Sequence, residues 1–188
     1  GPGAGAAGFD LIAVPRHDRA GMAGNLFPVT GAPHRVNGDA LAAARKEWQE
    51  RFDGFARPLV GLLLGGATRR KPFTKSVAAD LGARVGKLTS AAGGSLVITT
   101  SPRTGEAADH VAAAAAGAGA KPQLVHQWSR HGDNPYLGIL ALADILVVTG
   151  DSVSMCTEAS ATAKPVYIYA PSGFVVPKHA RFQADLFA

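Results

Sequence analysis

Cysteine and long apolar runs are scarce in this sequence. Cys156 is the only cysteine of 188 residues, so the chain has no internal disulfide and a reducing compartment is favoured over secretion. No apolar run reaches the roughly 18 to 20 residues of a membrane-spanning helix, because residues 137–149 are interrupted by Asp144 and residues 59–64 are followed by two glycines. We therefore expect a soluble, cytoplasmic protein without a membrane-spanning segment, and peripheral association with a membrane stays open.

Charge clustered in one place is also missing. The net charge is +5, but the lysines and arginines are scattered singly or in pairs, apart from residues 69–71. This pattern suits small anionic ligands better than a nucleic-acid duplex, so no nucleic-acid partner is expected. Gly (23) and Pro (12) together stay below the level of low-complexity disorder, so the composition predicts a folded protein.

The sequence lacks the motifs of three common classes of functional site. No G-x-G-x-x-G follows an apolar run and no G-x-x-x-x-G-K-[ST] occurs, which argues against a standard dinucleotide site and against a P-loop NTPase. One cysteine and six scattered histidines form no zinc-type cluster, so no metal site is expected. Ser154 has no His/Asp partner at a readable spacing, which disfavours a serine hydrolase.

The clearest positive signal is a repeated order of short apolar runs, each followed by polar or glycine residues and then by a helical pattern. Such alternation implies right-handed crossovers, so the predicted fold class is α/β, a Rossmann-like doubly wound parallel sheet. The predicted strands are 59–64, 95–100, 123–127, 145–149 and 165–169. Helices are predicted between them, with Thr74 and Thr104 as the caps of the first two and with 136–143 and 155–163 as shorter ones.

Ahead of this unit, the pattern predicts a strand at 9–14, a loop-rich stretch at 16–37 and an amphipathic helix at 39–52. Three elements do not make a second domain. We therefore interpret residues 1–57 as the tail of a preceding N-terminal domain with a linker helix, and residues 58–188 as the Rossmann-like domain. The alternative is an N-terminal extension that packs on the edge of a single sheet.

Polar residues follow the strands at the ends where open α/β sheets bind their ligands, because helix N-termini there offer free N–H groups. Gly65 and Gly66 follow the first strand, where glycines let the backbone approach a ligand closely, although an ordinary turn is the alternative. Arginines at 69 and 70 come next and could neutralise phosphate.

The second strand is followed by Ser101, Arg103 and Thr104 at a predicted helix start. Arg103 can make a forked contact to phosphate oxygens, and a capped helix with a solvated arginine is an equally open reading. After the fourth strand, Ser152 and Ser154 would form an anion cradle, and Glu158 could accept hydrogen bonds from a ribose diol. Capping explains one of these serines, but not both together with the glutamate.

The histidines offer weaker candidates. His17 lies next to Asp18 and could serve as a general base, but a structural role is favoured because adjacent side chains on an extended segment point apart. His131 lies in a loop beside Asp133 and Asn134, where a ligand role is open and either neighbour could cap the next helix.

Residues 134–169 read NPYLGILALADILVVTGDSVSMCTEASATAKPVYIY. This run resembles the nucleotide-binding half of glycosyltransferase-B proteins, which include the peptidoglycan N-acetylglucosaminyltransferase and the UDP-N-acetylglucosamine 2-epimerases. Within that group, the sequence is most similar to the elongated-mitochondria (mitochondrial fission) family of bacterial and plant proteins. The residues that carry the resemblance are 14–18, 31–34, 64–66, 100–104, 134–136, 151–155, Lys178, Arg181 and Phe182, which span nearly the whole chain.

The resemblance implies two Rossmann-like halves with a cleft between them, of which this chain is the second half plus the end of the first. By position it places the following residues at a nucleotide-sugar substrate: Gly65 and Gly66 near the ligand, Ser101, Arg103 and Thr104 at phosphate, Gln127 and Trp128 beside the base, Ser152 and Ser154 at the diphosphate, Glu158 at the ribose, and Asn134 and Tyr136 as further contacts. Two positions depart from the related proteins. Ala163 stands where glycine is usual, and Pro102 stands where an arginine is expected.

The function implied is that of a nucleotide-sugar-binding, glycosyltransferase-like protein that holds the donor diphosphate at the carboxyl ends of its strands, with a UDP-type donor favoured. No separate cofactor is expected. An enzyme of this kind would be a metal-independent glycosyltransferase or a nucleoside-diphosphate-sugar epimerase, and no catalytic residue is assigned. The alternative is a non-catalytic adaptor that retains the fold and binds a protein partner, as the mitochondrial-fission members of the family imply.

Overall fold

The computed structural model describes residues 6–18, 23–68, 71–129 and 132–187. Its strands are β1 (Ile12–Pro15), β2 (Leu26–Val29), β3 (Leu59–Leu64), β4 (Ser95–Thr100), β5 (Leu124–His126), β6 (Ile145–Thr149) and β7 (Val166–Tyr169). Its α-helices are α1 (Gly38–Phe52), α2 (Lys75–Ala91), α3 (Ala107–Gly117), α4 (Tyr136–Leu142), α5 (Val153–Ser160) and α6 (Pro177–Phe187). Short 3₁₀ turns lie at Ala6–Gly8 and Arg16–Asp18.

A five-stranded sheet of order β5-β4-β3-β6-β7 forms the centre of the molecule, and all of its neighbouring strands pair in parallel. The predicted doubly wound α/β fold is thereby confirmed. The strands β3, β4 and β6 have the predicted bounds, whereas β5 and β7 are each shorter than expected. Both of these are edge strands, which are shorter than expected because they are hydrogen-bonded to a neighbouring strand on one side only.

Each buried strand supplies apolar side chains to both faces of the sheet, because successive side chains point to opposite sides. Leu59 and Leu63 of β3 enter one core together with α1, α4 and α5, whereas Val60 and Leu62 enter the other core together with α2 and α3. This arrangement explains why the central strands are continuous apolar runs. It also fixes the sheet between two helical layers.

One of the two predicted helix caps is confirmed and the other is wrong. The Thr74 hydroxyl accepts a hydrogen bond from the backbone N–H of Val77 at 3.3 Å, as an N-cap does. Thr104 does not cap α3, since that helix begins at Ala107. The Thr104 hydroxyl is instead buried and donates to the backbone oxygen of Gly65, because Thr104 lies within a turn at residues 102–106 that precedes the helix.

The N-terminal part differs in detail from its prediction. The first strand lies at Ile12–Pro15 rather than 9–14, and β2 pairs with it in parallel inside the stretch that was expected to be loop. β2 is only four residues long and contains Pro28, so its strand pattern is too short to stand out in the sequence. The division into units at residues 1–57 and 58–188 stays a prediction.

Two helices join the chain ends to this framework. Trp48 of α1 packs directly against Gly138 of α4, where a Cβ would collide with the indole ring. Phe182 of α6 is fully buried and contacts the His17 ring edge-to-face at 5.3 Å, so the C-terminal helix, which the sequence pattern did not reveal, lies against the Arg16–Asp18 turn. No helix in the described ranges has the length and apolarity needed to cross a membrane.

Candidate functional site

A cavity of about 590 Å³ opens beside the carboxyl ends of the central strands β3 and β6. Three predicted site residues line it: Arg103, Ser152 and Ser154. The rest of its wall includes Asp151 after β6, His17 and Asp18 in the turn after β1, and Lys178 and His179 at the start of α6. The cavity therefore combines one end of the sheet with elements from both ends of the chain.

Asp151 is the polar centre of this site. Its carboxylate is 1% exposed, and Oδ2 accepts hydrogen bonds from the backbone N–H of Gly66 at 2.7 Å and from the Arg103 guanidinium at 3.3 Å. Its other oxygen, Oδ1, is buried and has no hydrogen-bond partner among the described residues. Asp151 thus connects the ends of β3, β4 and β6 and orients Arg103 at the cavity wall.

Gly65 and Gly66 are packed against this centre from the end of β3. The Gly65 N–H donates to the Thr149 hydroxyl at 2.7 Å, and a Cβ on Gly65 would collide with the Asp151 carboxylate. A Cβ on Gly66 would collide with the backbone carbonyl of Arg103. Internal packing therefore requires glycine at both positions, and the contact to a ligand predicted for them stays a prediction.

Ser101 and Thr104 fix the turn that carries Arg103. Both hydroxyls donate to the backbone oxygen of Gly65, the Ser101 bond being 2.5 Å long, and Thr104 Oγ1 also accepts from the N–H of Ser101 at 2.9 Å. The Arg103 side chain is 44% exposed and makes a second bond, to the oxygen of Ala67, at 3.3 Å. In the present arrangement, Ser101 and Thr104 position the arginine, and their predicted phosphate contacts stay predictions.

The start of α5 supplies the second anion-favouring feature of the cavity. Ser152 is its N-cap and accepts from the N–H of Met155 at 3.4 Å, while Ser154 is exposed one residue inside the helix. The first turn of a helix carries free N–H groups and a partial positive charge, so an anion in the cavity would be stabilised there. Thr157 of the same helix accepts from the N–H of Ala32 at 3.2 Å, which holds the N-terminal part near α5.

Glu158 and Tyr136, both predicted site residues, are brought together but do not line this cavity. The Tyr136 hydroxyl donates to Glu158 Oε2 at 2.5 Å. Burial, together with this bond, raises the pKa of Tyr136 well above its usual range. Asn134 accepts a hydrogen bond from the N–H of Tyr136 at 3.0 Å, so of the two proposed caps of α4 it is the one that contacts the helix start.

Trp128 follows β5 at the edge of the sheet and is 39% exposed. Its backbone N–H donates to the Thr100 hydroxyl at 2.7 Å. It does not line the cavity, and its predicted place beside the base stays a prediction. The predictions for Arg69, Arg70 and His131 lie outside the described residues.

Most residues of the cavity wall were not predicted as substrate contacts; the ionisable ones among them are Asp151, described above, and His17, Asp18, Lys178 and His179. The Lys178 ammonium pairs with the Asp18 carboxylate, and this bond holds the pKa of Asp18 below its usual value. Burial lowers the pKa of both histidines. The available signal was the sequence Pro-Lys-His at residues 177–179, which forms the first turn of α6, but it does not reveal that α6 folds back to the site.

His17 is almost fully buried, with 4% exposure. Its Nε2 lies 3.9 Å from the Asp18 carboxylate, and its Nδ1 has no hydrogen-bond partner among the described residues. Its backbone oxygen accepts from the Arg181 guanidinium at 3.2 Å. The packing on Phe182 and this backbone contact favour the structural role over that of a general base.

Relatives of known sequence and structure extend this description. The chain is 30% identical over 190 residues to the mitochondrial fission protein ELM1 of Arabidopsis thaliana, a match that covers 85% of this chain and 42% of the relative. It is 28% identical over 163 residues to an uncharacterised protein, RP120, of Rickettsia prowazekii, covering 86% of this chain and 45% of that protein. The chain thus spans less than half the length of these relatives.

Among solved structures, a family 9 glycosyl transferase from Veillonella parvula is 17% identical, with a TM-score of 0.44, over 75% of this chain and 38% of that one. A universal stress protein in complex with cAMP has a TM-score of 0.38 at 19% identity and covers 58% of this chain and 95% of that one. The sequence model of the family described as "Mitochondrial fission ELM1" matches residues 1–188. The chain therefore belongs to the mitochondrial fission ELM1 family, as its motifs predicted.

Proposed function

We propose that the cavity beside β3 and β6 binds the diphosphate of a nucleotide sugar, as in a glycosyltransferase-like protein. The observation that carries the proposal is the meeting of Arg103 and the serine-rich start of α5 in one cavity at the carboxyl ends of central strands. Guanidinium groups and helix N-termini both favour phosphate oxygens. Neither requires a metal ion.

The polar frame behind Arg103 supports a preorganised site. The Arg103 side chain is bonded to Asp151, and the turn that carries it is held by the Ser101 and Thr104 hydroxyls. Ligand binding therefore costs little conformational entropy at Arg103. In a transferase, the same groups would stabilise the leaving diphosphate as its negative charge develops.

Glu158 is the proposed ribose contact, one helical turn beyond Ser154 on α5. Residues four apart lie on the same side of a helix, so a ligand that enters at Ser154 extends toward Glu158. The Tyr136 hydroxyl, which now donates to Glu158, would orient its carboxylate for a diol. Glu158→Gln should therefore weaken nucleotide binding while leaving pyrophosphate binding unchanged.

Calorimetric titration of the full chain with UDP, GDP and their common sugar conjugates tests the proposal. Arg103→Ala should weaken nucleotide binding by roughly 1.5–3 kcal/mol, the value of a charge-assisted hydrogen bond. Arg84→Ala is the matched control, because Arg84 is an exposed arginine of α2 that also pairs with an aspartate, Asp80, at 2.7 Å. Equal losses in the two variants would refute a specific role for Arg103.

A protein-binding adaptor is the second candidate, because the 30% identical Arabidopsis relative is named for mitochondrial fission. An adaptor that kept the fold would tolerate Arg103→Ala, Ser152→Ala and Ser154→Ala without loss of partner binding. The titration separates the two functions. Absence of binding to every nucleotide would refute the nucleotide-sugar proposal and leave the adaptor.

A further inference from the structure

Within the described residues, two side-chain cations line the cavity, and each of them is paired with a carboxylate of the same cavity wall. Arg103, from the turn after β4, contacts Asp151 at 3.3 Å. Lys178, from the first turn of α6, pairs with Asp18 of the Arg16–Asp18 turn. The two pairs thus come from four separate segments of the chain.

The two pairs differ in how firmly they are held. Asp151 is 1% exposed and is also bonded to the Gly66 N–H, so it is part of the fixed frame. Asp18 is 37% exposed and Lys178 is 47% exposed. Ion pairs this accessible to water contribute only about 0.2–1 kcal/mol, so Lys178 can leave Asp18 at little cost.

The surroundings of Lys178 favour an anion. The starts of α5 and α6 both lie on the cavity, so the positive ends of two helix dipoles face the same space. Arg103 and Lys178 line the same cavity, together with His179, which follows Lys178 in the first turn of α6. A ligand with two phosphate groups could therefore engage Arg103 and Lys178 together.

We propose that Lys178 is a second phosphate-binding residue of this cavity, an inference that rests on the diphosphate site proposed above. Lys178 is paired with Asp18 in the free protein and leaves it to contact the bound phosphate. Asp18 is then a competitor for Lys178, and its removal strengthens binding. If the Asp18–Lys178 pair only stabilises the contact between α6 and the Arg16–Asp18 turn, the consequence is the opposite, because loss of the pair would destabilise the cavity wall and weaken binding.

Titration of the full chain with pyrophosphate and with inorganic phosphate tests this inference. Lys178→Gln should weaken pyrophosphate binding roughly tenfold or more, because one charge-assisted hydrogen bond is lost. Inorganic phosphate, which Arg103 alone can hold, should be affected less. Asp18→Asn should tighten pyrophosphate binding about two- to fivefold, as expected when an accessible competing ion pair is removed.

Matched variants separate release of Lys178 from other effects. Asp80→Asn, which removes the carboxylate of the exposed Arg84 pair on α2, should leave pyrophosphate binding unchanged. The gain from Asp18→Asn should be larger in the wild-type background than in the Lys178→Gln background, where only the direct repulsion between the Asp18 carboxylate and the ligand is removed. An undiminished gain in that background would overturn the release mechanism.

Three further outcomes bear on different proposals. If wild-type protein binds neither pyrophosphate nor any nucleotide, the diphosphate site itself is refuted. If wild-type protein binds pyrophosphate and Lys178→Gln binds it equally well, only the role of Lys178 is refuted. Weaker binding by Asp18→Asn, with or without a lower melting temperature, would favour a purely structural role for the Asp18–Lys178 pair and overturn the inference.

Discussion

Asp151 offers the sharpest test of how the site is built, because a single carboxylate connects the ends of three strands. Replacing it with alanine removes the acceptor for the buried Gly66 N–H and the partner of Arg103. An unsatisfied buried N–H costs roughly 1–3 kcal/mol. Loss of the pair with the half-exposed Arg103 adds about 0.2–1 kcal/mol.

The expected loss of unfolding free energy for Asp151→Ala is therefore about 1–4 kcal/mol, a fall in melting temperature of roughly 2–16 °C for a protein of this size. Asp151→Asn is expected to cost less, about 1 kcal/mol, because its amide oxygen still accepts from the Gly66 N–H while the charge is lost. The comparison separates the acceptor role of Asp151 from its charge.

Urea unfolding followed by circular dichroism measures both variants. Asp133→Ala serves as the control, since its carboxylate is 67% exposed and pairs only with Arg51 among the described contacts. It should change stability by less than about 0.5 kcal/mol. A loss equally small for Asp151→Ala, or an Asn variant as unstable as the Ala variant, would refute the reasoning.

Three other predictions concern stability. Gly66→Ala should destabilise the protein by about 1–3 kcal/mol and displace the turn at Arg103, since the added Cβ would collide with backbone rather than with a flexible side chain. Urea unfolding measures this loss, and an unchanged unfolding free energy would contradict the packing. Phe182→Ala should cost about 3–5 kcal/mol by thermal unfolding, because a fully buried ring is lost; a cost below about 1 kcal/mol would show that α6 is not anchored there. Burial, with Arg45 nearby, lowers the pKa of Lys164 to about 8, so above that pH the unfolded state binds more protons than the folded state and stability should rise from pH 8 toward 10. Over this range, the unfolding free energy of the wild type should increase by about 1 kcal/mol more than that of Lys164→Met. Parallel pH profiles of the two proteins would contradict this.

Much of the fold could be predicted from local sequence patterns. β3, β4 and β6 were predicted to the residue, because strands buried on both faces are continuous apolar runs with clear ends. Thr74 was recognised as a cap because its hydroxyl needs only its own helix. β2 was missed, since four residues containing a proline carry too little periodicity.

Part of the site was predictable for the same reason. Arg103, Ser152 and Ser154 follow strands of a parallel sheet, and the carboxyl ends of such strands share one edge, so their arrival at one cavity follows from topology. The failed cap at Thr104 shows the limit of this reasoning. Its hydroxyl donates to the backbone oxygen of Gly65, 39 residues away, and that bond is decided by the packing of the turn after β4 against the end of β3 rather than by the local sequence.

The sequence by itself determined the α/β class, the central strands and the polar residues at their ends, because these depend on hydrophobic periodicity and on chain order. Only the tertiary structure decided which charges face the cavity. Arg181 of α6 contacts His17 across 164 positions, and Lys178 and Asp18 meet through the same return of the C-terminal helix. Contacts of that separation depend on how whole elements pack, and no local pattern in the chain encodes them.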